Sequence, residues 1–192
     1  MSELVSIRQD SKTYLGFWIY LMTDCVLFAS LFATYAVLQG NTFGGPGSKE
    51  LFDLPFVLAE TLILLTSSFT CGLGVLAART NNKKQVLAWF GFTFILGLAF
   101  LSLELSEFAS FIQEGNGFTR SGFLSAFFTL VGTHGLHISV GLVWMFVLMA
   151  RIFQRGLSEI SLKRLVLLSL FWHFLDIIWI FIFSIVYLMG VI

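Results

Sequence analysis

The chain has 192 residues, 57% of them hydrophobic and 11% charged, with eleven Lys/Arg against eleven Asp/Glu and a formal net charge of zero. A soluble domain carries about 25% charged residues. A mean hydropathy of +0.91 excludes a disordered chain, the charge balance excludes a nucleic-acid binder, and a soluble fold of this size could not bury so much apolar surface. A membrane protein remains.

A bilayer-crossing helix needs roughly 20 mostly apolar residues. Five stretches qualify: 14–38, 55–79, 86–112, 122–151 and 165–190. We expect one all-α membrane domain over residues 1–192. The first 13 residues are polar, and the apolar run that follows is too long for a signal-peptide core. Span 1 is therefore expected to be retained. Between spans 1 and 2, Gly44-Gly45-Pro46-Gly47 predicts a turn. Pro55 suits the first turn of span 2, and Asp53 is placed to cap it. Asn81-Asn82-Lys83-Lys84 and Gly115-Asn116-Gly117 separate the next pairs. Neither Pro46 nor Pro55 sits inside a span, which predicts unbroken helices. Cys25 and Cys71 lie in apolar runs without C-x-x-C spacing, which argues against a disulfide framework or a thiolate zinc site.

Orientation follows from Lys/Arg by loop. Arg8, Lys12, Arg79, Lys83, Lys84, Arg151, Arg155, Lys163 and Arg164 fall on one side, and only Lys49 and Arg120 on the other. The count predicts a cytoplasmic N-terminus and a C-terminus outside. That alternation requires an odd number of spans, as found.

Away from the span ends, eight Asp, Glu or His residues lie within the spans: Asp24, Glu60, Glu104, Glu107, His134, His137, His173 and Asp176. None is Lys or Arg. An acidic residue at a helix centre costs about 2.5–3.5 kcal/mol to insert, so these groups should face other helices. Glu104/Glu107, His134/His137 and His173/Asp176 are spaced i,i+3, on one helix face each. At about 1.5 Å per residue, Asp24, Asp176 and the three histidines fall near mid-depth and the three glutamates nearer the outer face. Two polar layers are expected. Interhelical hydrogen bonding, metal ligation and proton relay all suit such groups. The Glu-x-x-His pattern of di-iron bundles is absent. Ala29/Ala33, Gly74/Ala78 and Ser121/Ser125 have small-xxx-small spacing, and Gly132, Gly135 and Gly141 enrich span 4. Trp172 and Trp179 lie too deep for an interfacial belt.

Four segments together resemble subunit III of haem–copper terminal oxidases. They are Gly16-Phe17-Trp18-Ile19-Tyr20-Leu21-Met22-Thr23-Asp24, Glu104-Leu105-Ser106-Glu107, Gly132-Thr133-His134-Gly135-Leu136-His137, and Phe171-Trp172-His173-Phe174-Leu175-Asp176-Ile177-Ile178-Trp179. They occur in the family's order over nearly the whole chain. The five-helix form is similar to the family's bacterial quinol-oxidising branch.

The resemblance implies a noncatalytic subunit of a complex that oxidises quinol, reduces dioxygen to water and moves protons across the bacterial cytoplasmic (inner) membrane. It implies no cofactor in this chain, haem and copper in subunit I, and phospholipid and ubiquinone bound in the complex. The implied partners are oxidase subunits I, II and IV and membrane phospholipids. It also implies a V-shaped arrangement, spans 1–2 against spans 3–5, around a lipid-filled cleft. Asp24 matches an intramembrane carboxylate, often Glu in related members, that reacts with hydrophobic carbodiimides. Asp is one methylene shorter. His134, His137, His173, Asp176, Glu104 and Glu107 match positions that brace spans 3–5, and Glu60 carries no family role. No catalytic or metal-binding residue is implied.

Two other function classes fit the buried acids and histidines. A proton-coupled transporter would need an inverted repeat or Gly/Pro-broken helices, which the sequence lacks. A metal-dependent membrane enzyme would need the histidines to converge.

Overall fold

The computed structural model describes residues 2–45 and 47–191, with side chains from residue 12 onward except residue 50. The helices in chain order are α1 (Ser2–Leu38), α2 (Ser48–Leu51), α3 (Leu54–Arg79), α4 (Lys83–Gln113), α5 (Gly122–Arg155), α6 (Glu159–Ile182) and α7 (Met189–Val191), with a π-helical turn at Phe183–Leu188 joining the last two. Five helical stretches are long and apolar enough to cross a membrane: Lys12–Leu38, Leu54–Arg79, Lys83–Gln113, Gly122–Arg155 and Glu159–Val191.

Local chemistry sets most ends. Asn82, Ser121 and Ser158 accept bonds from the backbone N–H groups of Gln85, Leu124 and Ser161, satisfying donors at the starts of α4, α5 and α6. Pro55 occupies the first turn of α3. Asp53 takes the N-cap position there, but its side chain makes no capping bond and lines a pocket beside Glu107 instead. Gly156, at φ +79°, ends α5 in a conformation that other residues rarely adopt. Phe43 and Gly44 turn the chain with φ of 49° and 72°. The turn expected at Pro46 falls outside the described residues. The short helix α2 had no signal in the sequence.

Helices α3, α4, α5 and α6 close into a ring, each packed on its two neighbours, and α1 lies against α5 and α6. The buried seam of α1 runs through Leu21, Asp24, Phe28 and Tyr35, with Phe17, Leu31 and Leu38 partly buried in register. The alternating four- and three-residue steps are those of a coiled-coil seam. Phe17 meets Trp144 and Tyr35 meets Phe123, so α1 and α5 run antiparallel. Tyr20 meets Phe171 and Phe32 meets Phe181, so α1 and α6 run parallel.

This arrangement corrects the expected grouping of spans 1–2 against spans 3–5. Span 2, α3, belongs to the ring and makes no substantial contact with α1. Its hydroxyl-rich face explains why. Thr70 shares a hydrogen bond with Thr93 of α4 at 2.8 Å, and Gly74 leaves room for the Phe90 ring, which a Cβ would meet at 2.7 Å. Ser67 and Thr61 accept the indole N–H groups of Trp172 and Trp179 of α6 at 2.9 and 3.0 Å.

Two smaller expectations change, the facing of Ala29/Ala33 and the regularity of span 5, and the deep placing of Trp172 and Trp179 holds. Ala29 and Ala33 face outward, whereas Gly74/Ala78 is buried as expected. Trp172 and Trp179 are fully buried inside the bundle. Span 5 is not a regular α-helix throughout, because the π-turn widens it at residues 183–188. That turn carries Tyr187 into the core, with its ring centroid 4.6 Å from that of Phe52. Such bulges occur without proline.

Candidate functional site in the bundle core

Seven of the eight ionisable residues divide into three environments, and His134 stands apart. The first is the α1–α5 seam. His137 Nδ1 donates to the Thr133 carbonyl at 2.8 Å, one turn back on its own helix. That bond fixes a proton on Nδ1 and points Nε2 at Asp24, whose Oδ2 lies 3.7 Å away. Asp24 is buried, and Phe28, one turn on, covers His137 at a ring separation of 5.3 Å. With Nδ1–H committed to the carbonyl, Nε2 is the nitrogen that His137 offers to α1.

The second environment is the α3–α6 contact. Ser68 Oγ and His173 Nδ1 share a hydrogen bond of 2.6 Å. Asp176 follows one turn later and is buried, with Oδ1 lacking a hydrogen-bond partner. Trp172 and Trp179 flank this segment and donate to α3 as described. Four polar links thus fasten α3 to its two neighbours along much of its length. A missed interhelical hydrogen bond inside a membrane leaves a polar group without water, so such links specify helix pairing.

The third environment is the end of the ring beside the π-turn. Tyr187 O–H donates to Glu107 Oε2 at 2.9 Å, tying the π-turn to α4. Glu104 packs its carboxyl directly on α5 at Gly135, where a Cβ would lie 2.7 Å from Oε1. Glu60 and Glu104 are buried, and Glu60 is completely so.

His134 stands apart from its i,i+3 neighbour. It is completely buried between Trp179, Phe100 and Phe28, with ring separations of 5.2, 6.0 and 6.4 Å. Neither ring nitrogen has a hydrogen-bond partner. His134 and His137 share Phe28 as a ring neighbour, but only His137 faces Asp24, and His173 faces Ser68 on another helix. Among the described residues, no group of three or more His, Cys, Asp or Glu side chains is arranged to hold a metal ion. The described polar contacts also reach beyond spans 3–5. Asp24–His137 fastens α1, and Ser68–His173 fastens α3.

Sequence reasoning missed Thr61, Ser67, Ser68, Thr70 and Thr93, and the inward placing of Tyr187. Of these, Thr61 and Ser68 could have been found as hydroxyls about two turns apart on a span that carries one acid. Tyr187 depends on the π-turn, for which the sequence has no local mark.

The fold and its core define an all-α multi-pass membrane protein whose buried polar groups join helices to one another. Residues 7–191 match the family described as cytochrome c oxidase subunit III, and the chain belongs to that family. It is 61% identical over 179 residues to cytochrome bo(3) ubiquinol oxidase subunit 3 of Pseudomonas aeruginosa, covering 93% of this chain and 86% of that one. It is 48% identical to cytochrome c oxidase subunit 3 of Bacillus sp. strain PS3, over 96% of this chain and 89% of the relative. The protein of Buchnera aphidicola named cytochrome bo(3) ubiquinol oxidase subunit 3 is 46% identical, over 95% of this chain and 94% of its own.

Proposed function

We propose that this chain is the noncatalytic subunit III of a proton-translocating ubiquinol oxidase that reduces dioxygen to water in a bacterial inner membrane. The family match over residues 7–191 carries this reading. The quinol donor rests on the names of the relatives at 61% and 46% identity. The partners on this reading are oxidase subunits I, II and IV, with haem and copper in subunit I. The N-terminus lies in the cytoplasm and the C-terminus outside, as the basic-residue count favours.

Within the complex the chain's task is mechanical. The Asp24–His137 pair holds α1 on the ring, and the α3 hydroxyls hold the ring closed. Phospholipid acyl chains suit a shallow apolar groove of about 540 Å³ on the outward face of α1, lined by Leu15, Trp18, Ile19, Met22 and Val26. Asp24, Glu60, Glu104, Glu107, His134, His137, His173 and Asp176 serve as structural or proton-tuning groups rather than as catalysts. Ubiquinone binds elsewhere in the complex.

Affinity purification of this chain in mild detergent tests the proposal. The expected result is a complex containing a haem-bearing large subunit. Recovery of a stable, haem-free chain that by itself drives substrate-dependent proton flux in liposomes would favour a transporter instead.

A further inference from the structure

Glu60 of α3 is completely buried, and neither carboxyl oxygen has a hydrogen-bond partner. Glu104 of α4 is 2% exposed, and its Oε2 also lacks one. Both are close enough to Glu107 for their charges to interact, and Glu60 and Glu104 to each other. From the π-turn, Tyr187 donates to Glu107. From α5, the backbone at Gly135 abuts Glu104. From the linker before α3, Asp53 acts on Glu107. Among the described residues, the groups that act on the three glutamates include one another, Asp53 and Tyr187.

A pocket of about 240 Å³ opens at this end of the ring, lined by Asp53, Ser106, Glu107 and Ser110 among others. A water molecule occupies about 30 Å³ of liquid, so the pocket has room for several. It brings the surface to Glu107, whose charge acts on the two more deeply buried carboxyls.

We propose that Glu60, Glu104 and Glu107 form a hydrated proton-exchange site that opens to the surface between Asp53 and Ser110. Burying several carboxylates close to one another is strongly unfavourable, and such groups neutralise by taking up protons. Their unpartnered oxygens call for hydrogen-bonding solvent. Hydronium entering the pocket gives its proton to a carboxylate and leaves as water, and release is the reverse. A metal ion is the poorer ligand, since the side chains do not converge as a ligand set. This site does not rest on the oxidase reading.

The test is infrared difference spectroscopy on the purified complex that holds this chain, comparing the natural chain with Glu60→Gln and Glu104→Gln. The expected result is a protonated-carboxyl C=O band that each substitution removes or reshapes and that shifts in deuterium oxide. Ser110→Trp, at an exposed position in the mouth, should slow that exchange by about tenfold or more, as blocked solvent access does. An identical spectrum in both glutamine variants overturns the proposal, because no proton then resides there. Unchanged exchange in Ser110→Trp also overturns the proposal, which is defined by that opening. Should either glutamine variant lose the chain from the complex, the Ser110→Trp exchange rate still decides the proposal.

Discussion

Across the α1–α5 seam, His137 Nε2 faces Asp24 Oδ2 at 3.7 Å, while its Nδ1 donates to the Thr133 carbonyl at 2.8 Å. One turn of α5 thereby decides which nitrogen is offered to α1. The acid needs no basic partner on its own helix, because the partner arrives from another span.

Asn in place of Asp24 keeps the shape and removes the acid. Asp24→Asn should leave assembly, haem content and most quinol oxidation intact. A double-mutant cycle with His137→Gln should give a coupling energy of about 0.6–2 kcal/mol for the seam, the range of interhelical polar contacts in membranes. Thermal release of this chain from the complex measures it. Zero coupling would mean that the two side chains act independently.

Two glycines on one helix separate packing from propensity. A Cβ at Gly97 would lie 2.9 Å from Leu142 and 3.0 Å from the Trp172 ring, whereas at Gly91 it would meet nothing within 4 Å. Trp172 cannot swing aside without giving up its bond to Ser67. Gly97→Ala should destabilise by about 1–3 kcal/mol, the usual cost of overpacking. Gly91→Ala should be neutral or stabilising by up to about 1 kcal/mol, from helix propensity. Thermal unfolding of the two variants side by side checks the contrast.

The number of spans was legible because each helix is a long apolar run closed by turn residues and Asn or Ser caps. The site residues were legible as exceptions to those runs. Their partners were not. An i,i+3 spacing places His134 and His137 on one face of α5, but that face is broad enough to meet both α1 and the ring interior. His137 therefore finds Asp24, while His134 enters the aromatic box of Phe28, Phe100 and Trp179. Nor did spacing say which spans pair. The placing of α3 within the ring depends on Ser67, Ser68 and Thr61, which read in isolation as ordinary mid-span hydroxyls. Span 5 carries no glycine or proline where its π-turn falls, so Tyr187 gave no sign of facing Glu107.

The hydroxyls of α3 should matter in proportion to what they hold. Ser67→Ala removes one indole bond and should cost about 0.6 kcal/mol, at most about 1.7. Trp172→Phe loses the same bond and also the ring edge against Gly97 and Gly141, so it should cost more. Equal effects on the thermal stability of the complex would remove the packing role assigned to the indole.

Orientation can be read with single cysteines. Asn81→Cys lies in an exposed turn on the basic side, and Thr119→Cys in an exposed linker on the other. In intact cells a membrane-impermeant maleimide should label Thr119→Cys and spare Asn81→Cys until the membrane is opened. Cys25 and Cys71 sit within spans and serve as the unlabelled background. The reverse pattern would invert the topology.

The most direct test of a noncatalytic role compares the purified oxidase complex with and without this chain. Quinol-dependent oxygen uptake per haem and the haem spectrum are measured on both. The account predicts an unchanged haem spectrum and retained turnover per haem without the chain, with faster loss of activity over time. Complete loss of turnover in a preparation whose haem spectrum is unchanged would contradict it, because the chain would then contribute to the chemistry itself.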